Sequence, residues 1–393
     1  MSPTPAHSDA PLAQRPSTGS PAGQPRVLFA CGGTGGHVYP AIAIADELKA
    51  LAPGAAVAFA GTKDRMEWEA VPRAGYAIHP VTVSGFQRSL SPEAVKRNLA
   101  FPFKLGKGMW DSLQLVRGFD PDVVVGTGGY VAGPVGLAAA MLRRPLVLQE
   151  QNAYAGATNR LLARFADRIF VAFEAARDYF PAGAIDVAGN PVRRDLADVD
   201  TQAARAHFHL EEGQRAVLVM GGSLGAGTIN EAIHRDLDTL LAHEDVVLIW
   251  QAGKRYFDDL RQAVPDHPRL RLLAYLDRMD YAYAAADVAV CRAGAITCSE
   301  LALTGTPSVL VPSPNVTADH QTKNARAMSD AGAAVLLPEA RLAADLAPAV
   351  DRLLHDAASR EEMVAAALRL ARPDAARTIA ATVLELSASR GAR

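Results

Sequence analysis

The sequence predicts an α/β protein with two Rossmann-like, doubly wound domains facing across a cleft. Short apolar runs recur along the chain, separated by longer amphipathic stretches. Those runs are apolar on both faces, as expected for parallel strands covered on both sides by helices. Two such series follow one another, and 393 residues suffice for two or three domains.

Residues 1–25 are mostly Pro, Ser, Thr, Ala, Gly and Gln. They offer too little apolar surface to offset ordering entropy, so a disordered tail is expected; the stretch also lacks the apolar centre of a signal peptide. Strands are expected in the first half at 27–30, 57–60, 78–83, 123–125, 146–149, 169–171 and 185–187. In the second half they are expected at 217–220, 246–250, 270–273, 288–290, 308–311 and 334–336. Helical patterns occupy 41–51, 228–242, 299–304 and 324–331 among others. Gly189, Asn190 and Pro191 punctuate the chain ahead of the acidic residues 195–200 and mark a junction. The expected division is a domain over 26–190, a second over 191–372, and a last helix over 373–393 returning to the first.

The halves echo each other. Asp122 begins an apolar strand that leads into glycines, a helix and then Arg144-Pro145; Asp287 begins another that leads to Gly294, a helix and Thr306-Pro307. Similar offsets are what two related βαβ units would leave in a sequence.

Composition excludes several classes. Lys+Arg is 40 against 42 Asp+Glu, a net charge of -2, so nucleic acid is not the expected partner. The longest apolar run, 130–142, contains Pro134 and falls short of the roughly 20 residues of a membrane span. Cys31, Cys291 and Cys298 form no C-x-x-C pair, which argues against a disulfide framework or structural zinc and suits a reducing compartment.

Three glycine-rich turns follow strands and open helices: residues 31–37, 126–130 and 221–227. Glycine admits a close ligand, and the helix start beyond it offers unpaired N–H groups and a positive dipole end, a setting that suits phosphate. None of the turns is a P-loop, and the strand after the first ends in Phe59-Ala60-Gly61 rather than in the acid of a dinucleotide site. The D-x-D pairs Asp120/Asp122, Asp198/Asp200 and Asp236/Asp238 sit before a strand, in a linker and in a helix; none is expected to hold metal. A fourth block, residues 291–300, closes a strand and opens a helix. Its Glu300 can accept two hydrogen bonds from a diol such as ribose, or can serve as a first-turn partner of the helix dipole.

Taken together, Gly-Gly-Thr-Gly-Gly-His (32–37), Gly-Gly-Tyr-Val-Ala-Gly-Pro (128–134), Glu-Gln-Asn (150–152), Gly-Asn-Pro-Val-Arg (189–193), Gly-Gly-Ser-Leu-Gly-Ala (221–226) and the 291–300 block occur in an order that resembles the MurG family. The resemblance runs from about Arg26 to the C-terminus. It implies a metal-independent, cofactor-free, inverting glycosyltransferase of the type-B fold. Such an enzyme moves N-acetylglucosamine from UDP-N-acetylglucosamine to lipid I, peripherally at the cytoplasmic face of the cell membrane, where other cell-wall proteins can be partners. By the family pattern Gly33, Thr34 and Gly35 contact the donor, Asn152 approaches the sugar, and Arg193 and Ser223 bind the diphosphate. Leu276 holds the uracil through its main chain, while Ala295, Ile296, Thr297, Cys298, Ser299 and Glu300 line the nucleotide and Gln321 meets the sugar hydroxyls. Gly36, Gly128, Gly129 and Tyr130 are assigned to the acceptor diphosphate. Leu224 and Thr322 depart from the family pattern, each standing where glutamine is common.

Sugar transfer requires deprotonation of the acceptor hydroxyl, stabilisation of an oxocarbenium-like sugar and neutralisation of the leaving diphosphate. His37 is the candidate base or acceptor-orienting residue, with an ordinary imidazole pKa near 6.5, unless it only caps the turn. Two other readings stay open on the residues alone: a UDP-N-acetylglucosamine epimerase-like isomerase and a non-catalytic sugar-nucleotide-binding module. Finally, Lys96, Arg97, Lys104 and Lys107 are interleaved with Leu99, Phe101, Phe103 and Trp110. That mixture suits an anionic membrane surface, and Pro102 with Gly106 and Gly108 argues against a regular helix there.

Overall fold

The structure, a computed structural model, describes residues 24–83, 101–183, 185–222 and 224–391. Its first sheet contains β1 (Arg26–Ala30), β2 (Ala56–Gly61), β3 (Ala77–Pro80), β4 (Val123–Gly126), β5 (Leu146–Glu150), β6 (Arg168–Val171) and β7 (Ile185–Val187), in the order β3-β2-β1-β4-β5-β6-β7. The second contains β8 (Arg215–Met220), β9 (Val246–Gln251), β10 (Leu270–Leu273), β11 (Val288–Cys291), β12 (Ser308–Leu310) and β13 (Val335–Leu336), in the order β10-β9-β8-β11-β12-β13. All neighbours pair in parallel. The described helices are α1 (Gly35–Leu51), α2 (Glu67–Arg73), α3 (Phe101–Phe119), α4 (Gly129–Met141), α5 (Ala157–Leu162), α6 (Thr201–His207), α7 (Gly227–Arg235), α8 (Leu237–Leu240), α9 (Phe257–Ala263), α10 (Met279–Ala285), α11 (Ala295–Thr304), α12 (His320–Asp330), α13 (Leu342–His355), α14 (Ala357–Leu370) and α15 (Ala375–Gly391).

Alternation along each central strand feeds two cores. Val27 and Phe29 point into a cluster with Ile44, Leu48 and Val71 of α1 and α2, whereas Leu28 and Ala30 join Val116, Val135 and Leu162 of α3, α4 and α5. In the second sheet Val217 and Val219 pack with Ile233, Leu240 and Leu346, and Leu218 packs with Ala282, Leu301 and Met328. Each fully buried aliphatic side chain contributes about 1.5–3 kcal/mol, so both faces must be covered for such strands to be stable.

The internal echo has a structural cause. Asp122 accepts the Arg26 N–H at 2.9 Å and donates its own N–H to the Arg26 carbonyl at 2.8 Å. Asp287 repeats this with Ala216, at 2.7 Å and 2.9 Å. In both halves this aspartate pins the strand after the crossover to the first strand of its sheet.

Helix starts lie earlier than expected. α1, α11 and α12 begin at Gly35, Ala295 and His320, four to six residues ahead of the expected starts. The helical stretch expected over 228–242 divides at Asp236 into α7 and α8. Contrary to expectation, residues 101–119 form one helix. Pro102 and the glycines do not break it, and Gly108 is needed because a Cβ there would lie 2.2 Å from the Thr82 carbonyl oxygen. Among the described residues, no helix is long and apolar enough to cross a membrane.

The chain passes between the halves twice, near Gly189 and near Arg372. Gly189 has φ 91°, and a Cβ there would come within 2.3 Å of the Arg372 Cβ. Beyond this crossing α15 packs on α1 and buries Ile379, Ala380 and Val383 in the N-terminal core. Gly189→Ala is therefore expected to destabilise the fold by about 1–3 kcal/mol. Denaturant melts measure this; an unchanged midpoint contradicts the contact.

Candidate active site

The site forms where the carboxyl ends of both sheets face one another, the place where open α/β sheets bind ligands. The first turn leaves β1 through buried Cys31 and enters α1 with Thr34 as its N-cap. Gly33 takes φ 93°, a region that favours glycine. Its N–H donates to Glu67 Oε2 at 3.1 Å, while Glu67 Oε1 accepts the Thr62 N–H at 3.1 Å and the Thr62 hydroxyl at 2.6 Å. Glu67 is fully buried beneath the turn. Sequence reasoning missed it, since an acid at the start of a short helix looks like an ordinary dipole partner.

The second turn interlocks with the first. Gly128 and Gly129 have φ 105° and 80°. A Cβ at Gly129 would lie 2.2 Å from the Gly32 carbonyl oxygen, and one at Gly128 would lie 2.7 Å from His37 Cδ2. Only glycine permits this backbone approach. The imidazole of His37 thus lies against Gly128, its Nδ1 is 3.1 Å from Thr34 Oγ1, and its carbonyl accepts the Thr127 hydroxyl at 2.8 Å. Burial and the charge of His320 across the cleft push the His37 pKa down to about 4, partly offset by Gly32 and Glu67. His37 is therefore a neutral imidazole at neutral pH, well below the ordinary value used in the sequence argument. Tyr130 stands exposed beside this pair of turns.

Residues 149–152 join the two halves. Glu150 accepts the N–H groups of Asn152 and Gly156, at 3.1 Å and 2.9 Å, and the Asn159 amide at 2.9 Å. Asn324 of α12 donates to Asn152 Oδ1 at 3.2 Å and to the Ala293 carbonyl at 3.1 Å, and accepts the Ala153 N–H at 2.9 Å. Asn190 donates to the Gln151 and Ala295 carbonyls and to Ser299 Oγ at 3.1, 3.2 and 2.9 Å. Of these amides sequence reasoning gave a ligand role only to Asn152, and read Asn190 as part of a junction.

On the C-terminal side, Gly222 and Gly225 of the third turn have φ 85° and 81°, and a Cβ at Gly225 would be 2.1 Å from the Ala252 carbonyl oxygen. Ser223 lies outside the described residues; Leu224 beside it is exposed. α11 starts after Gly294, bringing residues 295–300 to the same cleft as Asn190. Arg292 pairs with Glu339 and donates to Thr228 Oγ1 at 2.9 Å, tying the start of α7 to this block. Leu276 is buried, 4% exposed, in the core beside α10 and α11. Gln321 Oε1 accepts the Ser313 N–H at 2.8 Å. Arg193 is forked onto Asp195 and near enough to Glu300 to act on its charge.

Glu300 receives the hydroxyl of Tyr283 on Oε2 at 2.9 Å. Burial lifts its pKa to about 7, opposed by Tyr283 and by the charge of Arg193.

The expected membrane segment is described only in part: Lys96, Arg97, Leu99 and the side chains of Phe101 and Phe103 lie outside the described residues. Lys104, Leu105 and Trp110 are exposed on α3, whereas Lys107 is paired with Asp111 at 2.9 Å. One His/Asp cluster, His243, Asp351 and His355, brings three possible ligand atoms within 4.8 Å among the described residues. It lies at the opposite end of the second sheet, and His355 Nε2 faces the Arg215 guanidinium at 3.2 Å, a cation that disfavours a metal there.

Comparison with known proteins places these features in a family. Residues 27–171 match the glycosyltransferase family 28 N-terminal domain, and residues 216–379 match its C-terminal domain. The chain is 58% identical over 92% of its length, and 97% of the relative's, to the UDP-N-acetylglucosamine--N-acetylmuramyl-(pentapeptide) pyrophosphoryl-undecaprenol N-acetylglucosamine transferase of Salinibacter ruber. A relative of the same name from Flavobacterium psychrophilum is 42% identical over 93% of this chain and 99% of its own. Among solved structures, MurG of Acinetobacter baumannii matches with a TM-score of 0.74 and 31% identity, covering 92% of this chain and 99% of that one. A UDP-GlcNAc 2-epimerase from Neisseria meningitidis, bound to UDP-GlcNAc, matches with a TM-score of 0.64 at 15% identity over 92% of this chain and 100% of its own, a likeness of fold alone.

The raised pKa of Glu300 has a consequence for stability. A carboxyl whose folded pKa exceeds its unfolded value holds an extra proton in the native state between the two. Its stabilisation is complete below about 4.5 and is lost as pH rises through about 7. Glu300→Gln is expected to raise Tm at pH 8 and to lose most of that advantage at pH 5. Paired thermal melts decide; a difference that does not vary with pH contradicts the assigned environment.

Proposed function

The chain belongs to the MurG family of family 28 glycosyltransferases, and from that premise we propose how its own residues divide the reaction. The protein is an N-acetylglucosamine transferase of peptidoglycan synthesis, moving the sugar from UDP to N-acetylmuramyl-(pentapeptide) pyrophosphoryl-undecaprenol, as its relatives are named. Residues 191–372 hold the donor and residues 26–190 the acceptor. The ribose hydroxyls bind Glu300, the uracil meets the main chain at Leu276, and residues 295–299 line the nucleotide. Gln321, with Oε1 engaged by Ser313, directs its amide N–H groups to the sugar, and Asn152 approaches it from the other half. Gly33, Thr34 and Gly35 reach the donor from the first turn. Arg193, Ser223 and the start of α11 meet the departing diphosphate, where a helix N-terminus supplies positive potential.

The observation that carries this reading is the interlock of the first two glycine turns around His37. A neutral imidazole wedged between two phosphate-binding turns can take the acceptor proton while the backbone N–H groups of Gly36, Gly128 and Gly129, beside Tyr130, hold the acceptor diphosphate. The transfer then proceeds by a single displacement with inversion. Similarity over nearly the whole chain to transferases favours this over an isomerase, whose resemblance stops at the fold.

The acceptor's polyprenyl tail stays in the bilayer, so the enzyme works peripherally at the cytoplasmic membrane surface. Consecutive helices support this: α3 packs on α4 and α4 on α5. Along them and the turns that follow α4 and α5, Leu105, Trp110, Met141, Leu161 and Phe165 are exposed, beside the exposed Lys104, Arg143, Arg160 and Arg164. Apolar side chains entering the headgroup region and cations facing anionic lipid are the two parts of an interfacial contact.

Product analysis with UDP-N-acetylglucosamine and a short-chain lipid I analogue tests the activity. A disaccharide product and released UDP are expected, and conversion of the donor without acceptor would refute it. His37→Ala is expected to lower kcat by about 10²–10⁴ with donor KM little changed; a loss under tenfold would move the base elsewhere. For the membrane contact, each exposed cation contributes roughly 1 kcal/mol at an anionic surface. Changing Lys104, Arg143 and Arg164 together to Glu is expected to abolish binding to anionic vesicles while sparing turnover of the short-chain acceptor. Equal loss on both measurements would exclude this face.

A further inference from the structure

Tyr283 is the one buried hydroxyl hydrogen-bonded to a nucleotide-site carboxylate among the described residues. It lies on α10, 2% exposed, and its ring is part of the core beneath α11. Its Oη donates to Glu300 Oε2 at 2.9 Å. A carboxylate has two oxygens and can rotate about its last bond. Tyr283 engages Oε2 from the core side, which leaves Oε1 to a further donor.

We infer that Tyr283 is a positioning residue for donor recognition, locking the Glu300 carboxylate so that Oε1 is presented to the nucleoside diol. The inference rests on the proposed role of Glu300 at the ribose. It also explains why a hydrogen-bonding phenol stands in an otherwise apolar cluster of Ala282, Ala285, Leu301 and Ala302. A phenylalanine would pack as well; only the hydroxyl reaches the acid.

The same contact sets the protonation of the acid. The groups facing Glu300 are Tyr283 from α10 and Arg193 from the interdomain segment, both favouring the carboxylate. Cys291 at the end of β11 and Cys298 on α11 are buried thiols pushed up by burial, hence uncharged. Asp195 and Asp280 act on the site through Arg193. Burial leaves Glu300 titrating at about 7. A protonated carboxyl loses an acceptor position, so donor binding weakens as pH falls through that value. Removing the Tyr283 hydroxyl withdraws support from the carboxylate and moves this titration to higher pH.

The test uses the full-length enzyme and compares wild type, Tyr283→Phe, Glu300→Gln and the double variant, with UDP-N-acetylglucosamine and its 2′-deoxyribose analogue, between pH 5.5 and 8.5. Tyr283→Phe is expected to raise donor KM about tenfold at pH 7, the scale of one hydrogen bond to a charged group. It should leave kcat at saturating donor nearly unchanged, and the acidic limb of kcat/KM should move to higher pH. In the double variant the tyrosine substitution should add nothing to Glu300→Gln. A purely structural tyrosine would lower Tm and raise KM without moving the limb, and that outcome overturns the inference. UDP titration calorimetry across the same pH range supplies a readout independent of turnover. Should Glu300→Gln leave donor KM and discrimination against the deoxy analogue unchanged, the ribose assignment itself fails. Should Glu300→Gln act while Tyr283→Phe leaves the limb in place, only the positioning role fails.

Discussion

Two buried carboxamides hold the halves of this protein in register. Asn190 and Asn324 are almost wholly excluded from solvent, and each bonds to groups from both sides of the cleft. A buried polar atom left without a partner costs about 1–3 kcal/mol. Sliding one domain over the other would break several of these bonds at once. Interfaces between domains of one chain are usually small and permissive of motion. Here the amide network narrows that freedom at the floor of the cleft, next to residues 150–152 and the start of α11. The glycine turns of one half therefore face residues 293–300 of the other at a defined separation.

A repeated device builds each half. Asp122 and Asp287 make the same pair of backbone bonds to the first strand of their own sheets. With the central strands pinned, the crossovers deliver every glycine turn to the carboxyl end of a sheet, and both ends look into one cleft. The turns then approach one another, and neighbouring loops, through backbone alone. Gly129 against Gly32, and Gly225 against Ala252, are backbone contacts that any Cβ would prevent.

The electrostatics of the cleft follow from where charges are buried. His37 is held neutral by burial and by His320 across the gap, and Glu300 is lifted toward neutrality in its own pocket. Arg193 is occupied by Asp195 while still favouring the charged form of Glu300. Glu67, fully buried, uses one N–H of the first turn that would otherwise be open to a ligand.

Much of this was legible in the residues. Continuous apolar runs located the strands, because a strand buried on both faces has to be apolar throughout. Ordered glycine motifs located the turns, because only glycine tolerates a positive φ or a backbone within contact distance. The family resemblance then pointed to His37, Glu300 and Gln321. What remained hidden were the side chains whose role depends on a partner far along the chain. Glu67 reads as an ordinary helix-start acid until Gly33 is placed above it. Asn324 reads as a polar helix position until Ala153 and Ala293 close around it, and Tyr283 reads as core until its hydroxyl meets Glu300. The Lys107–Asp111 pair is local by contrast, four residues apart, and stayed hidden because no regular helix was expected there. Local sequence determines which backbone shapes are allowed; burial, which sets pKa values and makes a hydrogen bond obligatory, is decided only when distant segments pack together.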